Sequence, residues 1–340
     1  MTIDRRTFLA RASAAATATI AAPFVGSAHA QAPQFSFKYA HNAPVTHPLH
    51  IHAAKACEQI KEQTKGRVVI EVFPNNQLGG DTDMLSQLRS GAIHFQTLSP
   101  LILSTLVPAA SISGIGFAFS NYDQVWAAMD GELGAYVRSA IGTTGLVAME
   151  KIYDNGFRQI TTSNRPIKTA EDLKGLKIRV PVSPLWTSLF KALGASPTGI
   201  NWADAYVAMQ SKVVDGQENA LGIVSIAKLY EVQKFCSETN HVWDGIWFLA
   251  NGKAWNSMPA DLQQICAKNF NEQALAQRVT NRKLNESLES ELTAKGMVFN
   301  RPDLPSFKKA LQRAGFYQEW KTKYGGEAWA LLEKRVGALA

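Results

Sequence analysis

From Asp261 to Lys295 the chain runs for 35 residues with neither glycine nor proline. As an α-helix that stretch would be roughly 50 Å long, more than the diameter of one small lobe. Leu262, Ile265, Phe270, Leu284, Leu288 and Leu292 supply an apolar stripe, which Gln277 and Asn281 interrupt. A helix of that length, with burial changing along its course, suits one that crosses two lobes. The sequence has no internal repeat and no low-complexity linker. Two lobes would therefore have to share crossing strands.

Elsewhere strand patterns alternate with helix patterns. Phe35 to Ala40 alternates apolar and polar residues, as a strand does. A helix is expected from about Pro48, with Leu49, Ala53, Ala56 and Ile60 at helical spacing and Gly66 as its stop. Arg67 to Phe73 is β-branched and strand-like, Asp81 to Ser90 reads as a helix ending at Gly91, and Ile93 to Leu98 reads as the next strand. Thr169 and Asn201 sit at helix N-cap positions, and Ser183-Pro184 sets a cap and a first-turn proline before a helix that stops at Gly194. Such alternation predicts α/β layers with mainly parallel pairing.

The N-terminus sets the expected compartment. Asp4-Arg5-Arg6-Thr7-Phe8-Leu9 precedes an uncharged apolar stretch from Ala12 to Val25 and then Ala28-His29-Ala30. A basic start, a short apolar centre and small residues at the end make an export signal over residues 1–30. The paired arginines are similar to the twin-arginine class, which implies a bacterial periplasm. Between Ser90 and Tyr122 no charged side chain occurs, but Pro108, Gly114 and Gly116 break the stretch, which reads as buried strand, turn and cleft-lining backbone. The formal charge of +7 contains no basic stripe, which excludes a nucleic-acid partner. Cys57, Cys236 and Cys266, with no C-x-x-C, exclude a disulfide scaffold and a cysteine zinc site. They read as small buried residues, and one pair could bridge in an oxidising compartment.

Motifs for catalysis are missing: no G-x-S-x-G, Walker loop, H-E-x-x-H or G-x-G-x-x-G occurs. His50 and His52 would point to different faces of the helix that follows His47, so a shared metal is not expected. The carboxylate pairs Asp81/Asp83 and Asp215/Glu218 lie near caps and glycine turns, where a structural role fits better than acid–base chemistry. The expectation is a chain that is not an enzyme and takes no cofactor and no metal. In Leu176 to Pro181, Leu176, Ile178 and Val180 alternate with Lys177 and Arg179. Arg179 therefore lies on the opposite face at the strand's carboxyl end, where ligands of open α/β sheets collect. Its planar fork suits a carboxylate.

Arg158, Arg179, Ala205-Tyr206-Val207-Ala208-Met209-Gln210 and Val213-Val214-Asp215-Gly216-Gln217-Glu218-Asn219 closely resemble the DctP-type substrate-binding proteins of TRAP transporters. The likeness also takes in Phe73 to Gly79, Gly194 to Thr198 and Tyr230 to Lys234, over nearly all of the chain after the leader. It implies an α/β, two-lobed periplasmic binding protein fold with crossing strands and a long helix spanning both lobes. The lobes would be residues 31–155 plus 245–284 and residues 156–244 plus 285–340, with residues 259–295 as the bridging helix. It further implies a monomeric receptor that captures a small organic acid between the lobes and delivers it to a small and a large membrane subunit. Arg179 occupies the place of the carboxylate-pairing arginine and Arg158 that of a second arginine near the carboxylate. Asn219 matches an amide of the Gln-Glu-Asn run, Trp202 an aromatic ring against the ligand, and Asn42 a polar residue after the first strand. Ser99 and Val182 stand where sialic-acid binders of the family carry Glu and Asn, which argues against a large polyhydroxylated ligand.

Trp243, Gly245 and Trp247 share one face of a strand, and Asp244 and Ile246 share the other. Turned to the cleft with Trp202, the rings would give flat apolar walls, with Asp244 accepting a ligand hydroxyl. The ligand expected on that basis is an aromatic or 2-oxo monocarboxylate, ahead of a hexuronate or a C4-dicarboxylate. A periplasmic sensor-input protein and an enzyme of the same compartment are the rival classes. Replacing Arg5 and Arg6 together by lysine is expected to leave the protein in the cytoplasm. Normal periplasmic yield of that double variant, measured by cell fractionation, refutes the twin-arginine assignment.

Overall fold

The structure is a computed structural model that describes residues 32–339; the leader at residues 1–30 lies outside the described residues. Its strands are β1 (Phe35–Ala40), β2 (Val68–Phe73), β3 (Phe95–Leu98), β4 (Leu146–Ala148), β5 (Tyr153–Thr162), β6 (Lys177–Val180), β7 (Ser196–Gly199), β8 (Gly216–Ala220), β9 (Phe235–Asn251) and β10 (Val298–Asn300). They follow the order β2-β1-β3-β9-β5-β8-β6-β7, with β4 and β10 also pairing with β9. Helices pack around them, so the fold is mixed α/β.

Parallel pairing, expected for most of the strands, holds at β1 with β2 and β3, and at β6 with β7 and β8. The centre is different. β9 is 17 residues long and runs antiparallel to β3, β4 and β5. Its first residues, from Phe235, pair with β10, whereas Trp247 to Asn251 pair with β3 and β4. One strand thus serves two groups of strands. β5 accompanies it, and their register shifts between Asp154 and Gly156 and again between Arg158 and Ile160. Gly156 has φ +112°, a conformation that a side chain would strain.

The glycine-free run forms one helix, Ala260–Ala294. Its apolar stripe breaks at Gln277 and Asn281 because those side chains hold the bulged part of β5. Gln277 accepts the Asp154 backbone N–H at 2.9 Å and donates to the Asp154 carbonyl at 2.7 Å. Asn281 donates to Asp154 Oδ2 at 3.0 Å, and Arg278 donates to the Ile152 carbonyl at 2.9 Å. A bulge leaves ladder groups unpaired, and these side chains satisfy them where burial would otherwise be costly.

Local signals account for the helix starts. Pro48–Gln63 begins with His47 accepting the Leu49 N–H and Pro48 in the first turn. Asn201 and Thr169 precede Trp202–Gln210 and a short 3₁₀ turn as N-caps. The uncharged Ser90–Tyr122 region becomes β3, the helix Pro100–Leu103 and a buried 3₁₀ segment, Pro108–Gly114. No helix among the described residues is long and apolar enough to cross a membrane. Cys57, Cys236 and Cys266 are buried free thiols. His50 bonds His41, and His52 bonds Gln273 and Thr280 on the long helix.

Phe270 fixes the long helix to the sheet, fully buried and stacked on Phe248 with ring centroids 3.9 Å apart. Phe270→Ala is expected to destabilise the fold by about 3–5 kcal/mol. Urea unfolding followed by tryptophan fluorescence measures it, and a loss below about 1 kcal/mol contradicts this packing.

Candidate functional site

At the carboxyl ends of β1, β3 and β6, a cavity of about 60 Å³ opens beside β5, β8 and β9. β6 delivers Arg179 to it. Strand alternation sends Ile178 to the core and Arg179 to the cavity. Its Nε and Nη2 donate to the Ile200 carbonyl at 2.9 and 2.6 Å, which fixes the plane of the fork. The guanidinium also lies over the Trp202 ring, 5.5 Å from its centroid. Arg179 is only 2% exposed, and no carboxylate among the described residues lies within ion-pairing distance of it. Burial pulls its pKa down to about 10, while Glu218 and Asp81 oppose that and Arg158 reinforces it. At neutral pH it is a buried cation whose Nη1 is aimed at no protein acceptor.

Arg158 is built differently. Its Nε meets Glu218 Oε2 at 2.5 Å, its Nη2 meets Glu218 Oε1 at 2.8 Å, and its Nη1 meets Asp244 Oδ2 at 2.7 Å. His241 bonds the same Glu218 at 3.1 Å. Burial alone would raise the Glu218 pKa. The Arg158 charge and the hydrogen bonds from His241 and Arg158 outweigh it and bring the carboxyl to about 2. Arg158 lines the cavity, but its strong donors are taken by the protein. Arg158 thus stands at the cavity beside Arg179 while being bound into an ion cluster of the protein's own.

Asp244 lines the cavity too, and both of its oxygens are used. Ser99 donates to Oδ1 at 2.8 Å, and Asn155 donates to Oδ2 at 2.9 Å beside Arg158. Each carboxylate oxygen has two acceptor sites, so Oδ1 keeps one beyond the Ser99 bond. Ser99, Asn42, Trp202 and Asn219 all line the cavity. Asn42 donates to Asp81 at 2.9 Å, and Asn219 accepts the N–H of Ala220 at 3.0 Å.

Trp243 and Trp247 do not line it. Parity in β9 turns Asp244 and Ile246 to the cavity and sends the two rings to the other face. There Trp243 donates to Asp154 at 2.8 Å and meets Trp126 edge-on at 5.4 Å, and Trp247 is wholly buried in the core. The expected aromatic walls reduce to Trp202. Among the polar lining residues, Asp81, Thr97 and Asn155 went unread as site residues. Asp81 opens a helix just past the end of β2 and so resembles any helix-start carboxylate. Asn155 sits in the β5 bulge, which sequence periodicity does not reveal.

The sequence profile of the DctP family, described as bacterial extracellular solute-binding protein, family 7, matches residues 39–322. An uncharacterized protein of Sinorhizobium fredii is 36% identical over 78% of this chain, and the match spans 48% of that relative, so the chain covers about half of its length. The 2,3-diketo-L-gulonate-binding periplasmic protein YiaO of Escherichia coli is 30% identical, over 72% of this chain and 74% of that one. A solved TRAP periplasmic solute-binding protein of Ralstonia eutropha H16, holding (S)-2-acetolactate, is 30% identical with a TM-score of 0.83, over 89% of this chain and 98% of that one.

The Arg158–Glu218–Asp244 cluster sets a stability test. Arg158→Ala strands two buried carboxylates and is expected to cost about 3–5 kcal/mol of folding stability. Because Glu218 is held far below the usual glutamate range, its contribution is complete above about pH 4.5 and is lost as pH falls towards about 2. Denaturant titrations between those values check the sign: Glu218→Gln should flatten that acid-side decline.

Proposed function

The chain belongs to the DctP family of bacterial extracellular solute-binding proteins, and on that premise we propose that it captures a short monocarboxylate, foremost a 2-oxo acid, on Arg179. The proposed setting is the periplasm, and the proposed recipients are the small and large membrane subunits of a TRAP transporter. The role is capture and delivery without chemical change. One observation carries it: a buried guanidinium with no carboxylate partner faces a cavity. A buried charge without a counterion is costly, and an incoming carboxylate removes that cost while making paired, charge-assisted bonds.

Charge supports a single carboxylate, since Arg158 is already balanced by Glu218 and Asp244. With Trp243 and Trp247 in the core, nothing favours an aromatic acid. The ligand names of the Escherichia coli and Ralstonia eutropha relatives, both oxo carboxylates, point the same way. In this proposal, the two lobes joined by β5, β9 and the long helix close over the ligand. Closure dehydrates Arg179 and strengthens its attraction for the acid.

The test is a thermal-shift and calorimetry series on protein refolded free of ligand, with pyruvate, 2-oxobutyrate, benzoate, succinate and galacturonate. An acid at 100 times its dissociation constant adds about 2.7 kcal/mol of stability. The 2-oxo acids are expected to bind tightest. Arg179→Ala should lose about 2–5 kcal/mol of that binding, and Arg179→Lys should recover only part, because a point charge cannot reproduce the fork. Tightest binding by succinate, galacturonate or benzoate overturns the ligand class, and unchanged affinity in Arg179→Ala removes the anchor.

A further inference from the structure

Asp81 is a titratable group of the cavity whose chemistry the capture of an acid leaves unused. It opens the helix Asp81–Ser90 and is fully buried. Oδ1 accepts from Asn42 at 2.9 Å, and the backbone carbonyl accepts from Gln96 at 3.3 Å. Oδ2 is buried with no partner at all. Asp81 and Arg179 line the same cavity, yet they form no ion pair.

We infer that Asp81 is the charge filter of this cavity: it takes a proton from solvent when an acid docks on Arg179, so that one negative charge is admitted and a second is refused. This rests on the proposed capture of a carboxylate at Arg179. The buried charges around the cavity are those of Arg158 and Arg179 against Asp81, Asp244 and Glu218. His241, also buried, is held neutral, since burial lowers its pKa against the pull of Glu218. With every carboxyl ionised the site already carries one negative charge in excess, and a docked carboxylate doubles it. Protonation of one carboxyl relieves the excess. Glu218 is unsuited, because both of its oxygens accept from Arg158; burial raises the Asp244 carboxyl too, but its Oδ2 accepts from Arg158 and Asn155 and its Oδ1 from Ser99, so neither oxygen is without a partner. Asp81 has a free oxygen to receive the proton, and once protonated that oxygen becomes a donor towards the ligand.

The groups that act on Asp81 pull in opposite directions. Arg179 on β6 and the Asn42 bond after β1 favour its anion, as does the positive end of its own helix. Asp244 on β9 opposes it. Asp83, on the same helix, is exposed and turned back to the Gly80 N–H at 3.0 Å. Burial outweighs the favourable terms and places the carboxyl at about 6 in the free protein. An acid on Arg179 cancels the chief charge that keeps Asp81 ionised, so its pKa rises on binding. Affinity is then level below about pH 6 and weakens up to about tenfold per pH unit above it.

Three measurements test this. In the ligand-free protein, carbon-13 NMR of the Asp81 carboxyl, assigned by its loss in Asp81→Asn, should titrate near 6. Titration within the ordinary aspartate range overturns the inference whichever acid binds. Calorimetry with pyruvate at about pH 7.5, in phosphate and in Tris, should show uptake of close to one proton in the wild type and none in Asp81→Asn. The variant's affinity should be flat with pH, since the amide keeps a donor and has no charge. Succinate should bind Asp81→Asn more tightly than the wild type at neutral pH, because the wild type must take up a proton before the charge of Asp81 is removed and the variant need not. Equal succinate affinity in the two proteins overturns the filter, even where failure of pyruvate to bind counts only against the ligand class.

Discussion

Arg179 keeps a full charge in a place where burial works against it, and much of the surrounding structure follows from that. The Ile200 carbonyl and the Trp202 ring hold the guanidinium plane but supply no negative charge. Such a group is tolerable if its field is shared among nearby carboxylates and if a ligand completes it. Glu218 and Asp81 lie near enough to support it electrostatically without meeting it in an ion pair. Arg158 shows what happens when a guanidinium is paired: two carboxylates close on it and it becomes part of the frame. Two buried arginines thus differ in that one is neutralised within the protein and the other has no ion-pair partner among the described residues.

The frame that holds them apart depends on β5 and β9. Arg158 stands on β5, Asp244 on β9 and Glu218 on β8, so the ion cluster ties three neighbouring strands at the point where β9 passes from one group of strands to the other. A bulge at Asp154–Gly156 lets β5 bend there, and Gln277, Arg278 and Asn281 of the long helix take up the backbone groups left near it. The helix is consequently polar in its middle and apolar towards its ends, where Phe270, Leu288 and Leu292 are buried. Asn155, Arg158 and Asp244 line the cavity from the joining strands β5 and β9 themselves, which gives any movement of those strands a direct effect on the cavity.

Much of this was legible in the residues. The Gly/Pro-free run announced the long helix, and Pro48 with the caps at Thr169 and Asn201 announced where shorter elements begin. Alternation in Lys177–Val180 placed Arg179 opposite Ile178. The antiparallel centre was not legible, because pairing partners of β5 and β9 lie far apart in the chain and their strand patterns carry no direction.

The sequence by itself determined the family, the alternation of elements and the face on which each strand residue lies, because backbone sterics, caps and two-residue parity act over a few neighbours. It also placed Trp243 with Trp247 and Asp244 with Ile246 on opposite faces. Only the tertiary structure decided which of those faces meets the cavity, since that depends on helices and strands brought in from elsewhere in the chain. The same holds for charge. Arg158 and Arg179 are indistinguishable as residue types, and what separates them is the convergence of Glu218 and Asp244 on one and of neither on the other. Asp81 likewise becomes a cavity group only when Asn42, Gln96 and Arg179 enclose it, for burial and the loss of water are properties of the assembled fold.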